Sequence, residues 1–589
     1  MKIVSNIHEY QKPNPTMKSI ILILSLITST LSAQLSTFSD RDLYEMGKVW
    51  GLIKYYHPAV SQGKTDWDAV LLTSFRQDSK AGTDRLIKNW LNTADEQKFD
   101  KIPKQESECD SITLRNFNAS WIEKLRKVSP ENKNRLLHLV NTPENVGSFY
   151  SNTAKSGIYF SSANEKVYGT FSKDVKMLDL FRIWNVVEYF YPYKYLLDHN
   201  WDDILKKYIP LFKKINNEKD YESAVMQLAA ELQDTHVGIE KTYQYNVVGK
   251  LSSPFIFQMV NNAVLITGSK DDAKMKKAGL ETGDLITKIN GKSILKSIKE
   301  KSKYFAFSNT SVELREAYSY LFSGDEETFV VEGVHKNGEN FRTTVERMNR
   351  IFNNEWDKDG IPDLHLVYKG KTYNYLTYNE KESRLNPSFP IDDKVYFEFA
   401  SLKGAEIPAL MEQYKNTKGM VFDLRGYNDN GSLLKVFDYL LSKPVVYGIK
   451  TQPNFTQPGR FCFVDNIVNK EYKFAGKENP DPYKGQVVVL INEHTVSAEE
   501  MWAMVFKKVP NVIFVGSQTA GADGNKTSIK LTDGNKIIFS GLGIYYPDGG
   551  ETQRIGIKPD VVVRPTIQST RNKEDLLLLK ALELIDQKK

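Results

Sequence analysis

Residues 485 to 517 limit the fold more than any other stretch of the chain. "GQVVVLIN" is an uninterrupted apolar, β-branched run of strand length, "SAEEMWAMVFKK" follows with helical character, and "NVIFVGS" is a second apolar run. A strand without polar alternation is buried on both faces. Two such strands joined by one helix lie parallel, with a right-handed crossover. A related unit precedes them. "TKGMVFDLRGYNDNGSLLKVFDYLL" reads as a strand ending at Asp423-Leu424-Arg425-Gly426, then a helix. A partly parallel sheet is therefore expected, with its functional crevice beyond the carboxyl ends of the strands. Gly426 and Ser497 both stand at such ends.

Ser497 carries two readings. With Glu500 three residues on, it has the Ser-x-x-Glu spacing of a helix capping box. A serine at a helix start also has unpaired backbone N–H groups and a favourable dipole beside it, which suits a nucleophile. Acyl transfer needs that nucleophile, a base and oxyanion donors. The Ala498 and Gly426 N–H groups are the candidate donors. For the base, the chain offers eight histidines. His494 is three residues before Ser497, and His236 closes a helix in "LQDTHVGI"; at this level both stand. Asp423 and Arg425 are expected to be a structural pair.

The totals exclude several classes. The chain has 589 residues, enough for three or four domains, with 41% hydrophobic and 26% charged residues. Net charge is only +6 and no basic block stands out, so nucleic acid is not an expected partner. Cys109 and Cys462 lack short-spaced metal-ligand partners, so neither a zinc site nor a disulfide framework is expected; one bridge or two thiols fit equally. "MKSIILILSLITSTLSAQ", from Met17, has the charged, apolar and small-residue parts of an export signal ending at Ala33. Residues 1–33 are read as that signal, with no integral span after its removal and a periplasmic or extracellular destination.

An internal repeat organises the N-terminal part of the chain. Trp50, Tyr55, Pro58, Trp67 and Asp68 recur as Trp184, Tyr189, Pro192, Trp201 and Asp202, at a constant offset of 134 residues from Trp50 to Trp184 and from Asp68 to Asp202. Each copy is an aromatic helix stopped by proline, then a helix opened around Trp-Asp. Its aromatics are expected to pack rather than to form a ligand box. The first copy falls in a helical and mixed segment, 34–170, and the second in 171–249, with a helix from about Tyr221 to Leu232 before His236. In 250–350, "KKAGLETGDLITKINGKSI" gives a helix end, a Gly-Asp turn, a strand and an Asn-Gly hairpin turn. That succession resembles part of a PDZ domain, which binds extended peptides along a sheet edge. Residues 351–589 hold the βαβ units.

Six segments in order, "LQDTHVGI", the PDZ-like stretch, "VFDLRGYNDNG", "VVLINEHTVSAEEMWA", "VGSQTAGADG" and "YYPDGGETQRIGIKPDVVV", make the chain similar to the carboxyl-terminal processing peptidase family of serine peptidases. It resembles the tricorn-core and retinoid-binding-protein-like branch most. The resemblance implies a multidomain α/β protein: N-terminal helical segments, a PDZ-like β domain and a βαβ-containing serine-peptidase core. It implies an exported serine endopeptidase acting on peptide or protein substrates through an acyl-enzyme, with no metal or cofactor. Ser497 becomes the nucleophile, His236 the base, and Gly426 and Ala498 the oxyanion donors. Ala522 stands where processing peptidases proper carry a lysine base, and Lys526 lies four residues on. The glutamate that orients the histidine in the tricorn-like branch aligns with Gln553, with Glu551 two residues earlier. Thr519, Gly521 and Asp523 of "TAGADG" are expected to line the substrate site, and Glu500 to serve as capping partner. Tyr427 replaces an asparagine of the family pattern. The rival readings are a catalytically inactive peptide or apolar-ligand binder on the same fold, and a scaffold of PDZ and helical repeat domains.

Overall fold

The computed structural model describes residues 35–76, 82–102, 111–113, 115–153, 160–169, 171–239, 241–350, 364–379, 384–464 and 474–588. The signal segment 1–33 and Cys109 lie outside the described residues.

The repeat builds a helical layer. Its first copy is α1 (Asp40–Tyr56) and α2 (Trp67–Phe75), its second α3 (Lys173–Phe190) and α4 (Trp201–Lys213). In each copy the two tryptophans satisfy each other. Trp50 Nε1 donates to the Trp67 carbonyl at 3.1 Å and Trp67 Nε1 to the Trp50 carbonyl at 2.9 Å. Trp184 and Trp201 do the same at 2.8 and 2.9 Å. All four rings are buried, and a buried indole N–H needs such a partner. The stripe is packing, as its spacing implied. The copies then meet at equivalent positions. A Cβ on Gly51 would lie 1.8 Å from Asn185 Oδ1, and one on Gly47 would lie 2.7 Å from the Phe181 ring. Gly51 and Asn185 correspond under the repeat, as do Gly47 and Phe181, so an approximate twofold relates the copies. α5 (Glu218–Ala230), capped by Asn217, leads on to His236.

Next come β1 (Phe255–Val260), β2 (Ala263–Ser269), α6 (Asp272–Ala278), β3 (Leu285–Ile289), α7 (Thr310–Tyr320), β4 (Thr328–Val334) and β5 (Asn340–Glu346). The strands form an antiparallel sheet in the order β5-β4-β3-β2-β1. Gly279 ends α6 at φ 68°, and Asn290 and Gly291, at φ 49° and 76°, turn the chain after β3. These are the positions where the sequence placed a helix stop and a hairpin.

The last sheet has β6 (Ser388–Ile391), β7 (Lys394–Glu398), β8 (Gly419–Asp423), β9 (Gln486–Ile491), β10 (Ile513–Gly516) and, after three further strands, Val561–Val562, in that spatial order. Only β6 is antiparallel to its neighbour. Between β9 and β10 runs α8 (Ala498–Phe506). Every residue of β9 is buried. Val487, Val489 and Ile491 share a core with Trp502 and Phe506 of α8. Val488 and Leu490 pack with Leu578, Leu582 and Ile585 of the C-terminal helix α9 (Leu576–Gln587). Cover on both faces is why the strand shows no polar alternation.

The antiparallel domain docks beside the strand ends. Asn309, the cap of α7, donates to the Thr519 and Ala520 carbonyls at 2.9 and 3.0 Å, and Arg315 donates to the Glu493 carbonyl at 2.7 Å.

Candidate active site

Ser497 sits between β9 and α8 at φ 59°, ψ −118°. A non-glycine residue there is strained by about 1–3 kcal/mol and needs its surroundings to hold it. They do: its N–H donates to the Ala522 carbonyl at 2.9 Å, and the Thr495 hydroxyl donates to the Leu424 carbonyl at 2.8 Å. The capping box is not formed. The Ser497 side chain caps nothing. The Glu500 carboxylate instead accepts from the Thr519 hydroxyl and from the Gly521 and Ala522 N–H groups, both at 2.8 Å. Glu500 is thus structural, as expected, but it anchors the 519–522 loop rather than the helix start.

That anchoring accounts for two of the residues expected to line the substrate site. Thr519 is fully buried; its hydroxyl also accepts the Ile557 N–H at 2.7 Å. Gly521 has φ 67°, and its carbonyl accepts the Arg554 N–H at 2.7 Å. Both shape the loop from behind.

The loop after β8 is tied to the same helix. The Glu499 carboxylate accepts the Asn428 N–H, and Trp502 Nε1 donates to the Asn428 carbonyl at 2.8 Å. Gly426 is therefore carried alongside the start of α8. A Cβ at Gly426 would lie 2.6 Å from the Ala400 Cβ, so only glycine fits. Among the described residues neither the Gly426 nor the Ala498 N–H has an acceptor. Asp423 and Arg425 are the structural pair expected: Arg425 also reaches Asp575 at 2.7 Å. Tyr427 is 55% exposed, and its phenol faces the Ser497 hydroxyl.

A short strand brings in His236. Gly238–Ile239 pairs antiparallel with β12 (Lys536–Ser540), itself paired with β11 (Lys526–Lys530). The register sets Ile538 against Gly238, and Ser540 and His236 each lie two residues beyond that pair. His236 Nδ1 lies 2.8 Å from Ser540 Oγ. Beneath them is Asp234, wholly buried, which accepts the His236 N–H at 3.0 Å, the Ser540 N–H at 2.8 Å and Gln553 Nε2 at 3.2 Å. Burial pushes the imidazole below its ordinary value of 6.5; Asp234 opposes this and Lys526 adds to it.

Of the two residues aligned as the third member, Gln553 joins this cluster through Asp234. Glu551 does not. Arg115 holds it at 2.8 Å and the Tyr195 hydroxyl at 2.7 Å. His494 is exposed, and its electrostatic neighbours are Glu493, Arg315, Glu316 and Arg425. Sequence reasoning missed Asp234 and Ser540; the Asp-x-His spacing was a signal for the first, and nothing local marked the second.

Four buried polar atoms here have no hydrogen-bond partner among the described residues: His236 Nε2, Gln553 Oε1, Glu499 Oε2 and Asp523 Oδ2. Burial drives the Glu499 carboxyl up to about 9, with Asp429 and Asp523 adding to it. Burial, with the Glu500 charge, drives Asp523 up to about 8. Both values exceed the ordinary 4.5 and 3.8, so folding favours the protonated forms. Their contribution to stability is complete at acid pH and is lost as pH rises toward 8 and 9. Glu499→Gln is expected to raise the unfolding temperature at pH 8 and to leave it unchanged near pH 4. Thermal melts across that range check this, and a gain independent of pH contradicts it.

No group of three or more His, Cys, Asp or Glu side chains among the described residues is arranged to hold a metal ion. No helix among them is long and apolar enough to cross a membrane.

Comparison with known proteins finds the following likenesses. Residues 396–563 match the model of peptidase family S41. A tricorn protease homolog of Saccharolobus solfataricus is 24% identical over 461 residues, covering 75% of this chain and 37% of that protein. A probable CtpA-like serine protease of Staphylococcus aureus strain MRSA252 is 25% identical over 372 residues, 61% of this chain and 63% of that one. The chain thus spans about a third of one curated relative and under two thirds of the other. Among solved structures, mature CPAF complexed with lactacystin superposes with a TM-score of 0.52 at 12% identity, over 70% of this chain and 97% of that one, which is a likeness of fold.

Proposed function

We propose that this chain, whose residues 396–563 match the model of peptidase family S41, is an exported serine endopeptidase whose nucleophile is Ser497 and whose general base is His236. One observation carries the reading: Ser497 is held at φ 59° with its hydroxyl withheld from the helix it begins. A serine that only capped would adopt extended backbone and spend its oxygen on the helix.

In the reaction, His236 Nε2 takes the Ser497 proton as Oγ bonds to the scissile carbonyl carbon. The oxyanion faces the Ala498 and Gly426 N–H groups. The protonated imidazole then gives its proton to the leaving amine as the C–N bond breaks. Water, deprotonated by the same imidazole, releases the acyl group. The antiparallel domain at 250–350 supports a second part of the proposal, PDZ-like capture of an extended peptide by its carboxyl terminus. Its Gly-Asp turn, its Asn-Gly hairpin and its docking beside Ser497 favour that role. Export is supported by the leader at 17–33 and by Cys462, which is disulfide-bonded, a state that persists in oxidising compartments.

The second reading is a ligand binder without hydrolysis. It is favoured by the bare His236 Nε2, which makes no bond to Ser497 here. Such bonds are often loose before substrate binds. A fluorophosphonate probe separates the two. The wild-type protein is expected to be labelled and Ser497→Ala to lose the label. Absence of labelling in the wild type, or its survival in the variant, rejects the peptidase reading.

A further inference from the structure

We infer that Ser540 is the residue that orients the His236 imidazole, in the place where a catalytic triad carries a carboxylate; this rests on the reading of His236 as the base for Ser497. The argument begins with strand register. Gly238 and Ile239 add to the edge of β12, and the same register continued by two residues opposes His236 to Ser540. The 2.8 Å contact between Nδ1 and Oγ follows from that opposition. Ser540 is fully buried at the end of its strand, so its hydroxyl has no solvent to compete for it.

Asp234, two residues from His236, and Glu551, aligned as its partner, are both engaged elsewhere. Asp234 accepts from the backbones of both His236 and Ser540 and from the Gln553 amide, and so fixes the two chain segments relative to each other. Glu551 is held by Arg115 and Tyr195. Gln553 reaches Asp234 and not the ring. Orientation and charge are thereby divided between two residues. Ser540 sets the direction of the ring, and Asp234 supplies a negative field through space.

Tautomer chemistry completes the assignment. A base must present Nε2 without a proton. Nδ1 then carries the hydrogen and donates it to Ser540 Oγ. When Nε2 gains the Ser497 proton, Nδ1–H still donates to the same oxygen. A neutral acceptor stabilises that cation less than a carboxylate does. Besides Asp234, the charged group felt at the ring is Lys526 of β11, and with burial it keeps the imidazole neutral at lower pH.

The test is Ser540→Ala in the full chain, which removes one oxygen and adds no atom to a buried site. Two measurements are made. The first is the kinetics of inactivation by a fluorophosphonate. The limiting rate kinact is expected to fall by roughly 10²-fold, a part of what a positioned base contributes, with KI unchanged. The second is nitrogen NMR of the His236 ring. In the wild type it should report the Nδ1–H tautomer, and in Ser540→Ala a mixture of the two. A merely structural serine would alter neither the tautomer nor the split between kinact and KI. Wild-type kinact together with an unchanged Nδ1–H tautomer in the variant overturns the assignment. If instead the wild type is never labelled at Ser497, the peptidase reading fails, while the NMR measurement still decides whether Ser540 holds the ring.

Discussion

His236→Ala is expected to slow the reaction of Ser497 with a fluorophosphonate by roughly 10⁴-fold or more, the scale on which losing the base disables a serine triad. The expectation is large because the site provides no second base. Ala522 stands where a lysine would be needed, and Lys526 acts on the imidazole only by repelling its charged form. His494 has Glu493, Arg315, Glu316 and Arg425 as its charged neighbours. The fold should survive, since the side chain gives up one bond, to Ser540, and the Asp234 contact to the His236 N–H belongs to the backbone. The pH profile adds a separate check. Only the neutral imidazole accepts a proton. Because burial lowers its proton affinity, the wild-type labelling rate should hold steady below the ordinary histidine value of 6.5 before it falls. In the variant that inflection should vanish. A variant labelled as fast as the wild type, or a wild-type inflection at or above 6.5, contradicts the role given to His236.

Much of this was legible because short-range rules decided it. The αL stop at Gly279, the Asn290-Gly291 turn and the buried strand Gln486–Ile491 each depend on residues a few positions apart. The reciprocal tryptophans were visible as a repeat, although not as hydrogen-bonded pairs. Ser497 shows where local reasoning runs out. The Ser-x-x-Glu spacing is the same whether Glu500 turns back to the cap or across to the loop carrying Gly521 and Ala522, and only the path of that loop decides. Ser540 was beyond reach for a stronger reason. Its partner lies in a chain segment 304 positions away, through a two-residue strand too short to show any alternation. Glu551 and Gln553 were indistinguishable for a similar reason. What separates them is long-range: Arg115 and Tyr195 hold the first, and Asp234 holds the second.

Arg182→Met is expected to cost about 3–5 kcal/mol of stability, the range found when one partner of a buried ion pair is removed. Four charged groups meet between the two copies of the repeat. The Arg182 guanidinium pairs with Asp68 and lies 3.3 Å from Glu165, and Lys54 reaches Glu165 at 2.6 Å and Asp68 at 3.4 Å. All four side chains are buried, so the set is neutral only while complete. The repeat explains why it exists. Arg182 corresponds to Lys48, and Lys48 pairs with Asp202 at 2.5 Å, as Arg182 pairs with Asp68. Each copy's Trp-Asp helix is thus held by a cation from the other copy. Methionine fills much the same volume but strands one carboxylate in the core. Burial tends to raise Asp68, and Lys54 and Arg182 outweigh it, leaving the group below its ordinary value. Its support for the fold is therefore present near neutral pH and is lost as pH falls. Accordingly the gap between wild type and Arg182→Met should narrow in acid. Denaturant unfolding at pH 7 and at pH 4 measures both effects. Adding Asp68→Leu to Arg182→Met should recover much of the loss, because Lys54 and Glu165 then remain as a balanced pair. A single variant within about 1 kcal/mol of wild type, too little for a stranded buried charge, or a double variant worse than the single, would mean that the copies are held together by their aromatic packing alone.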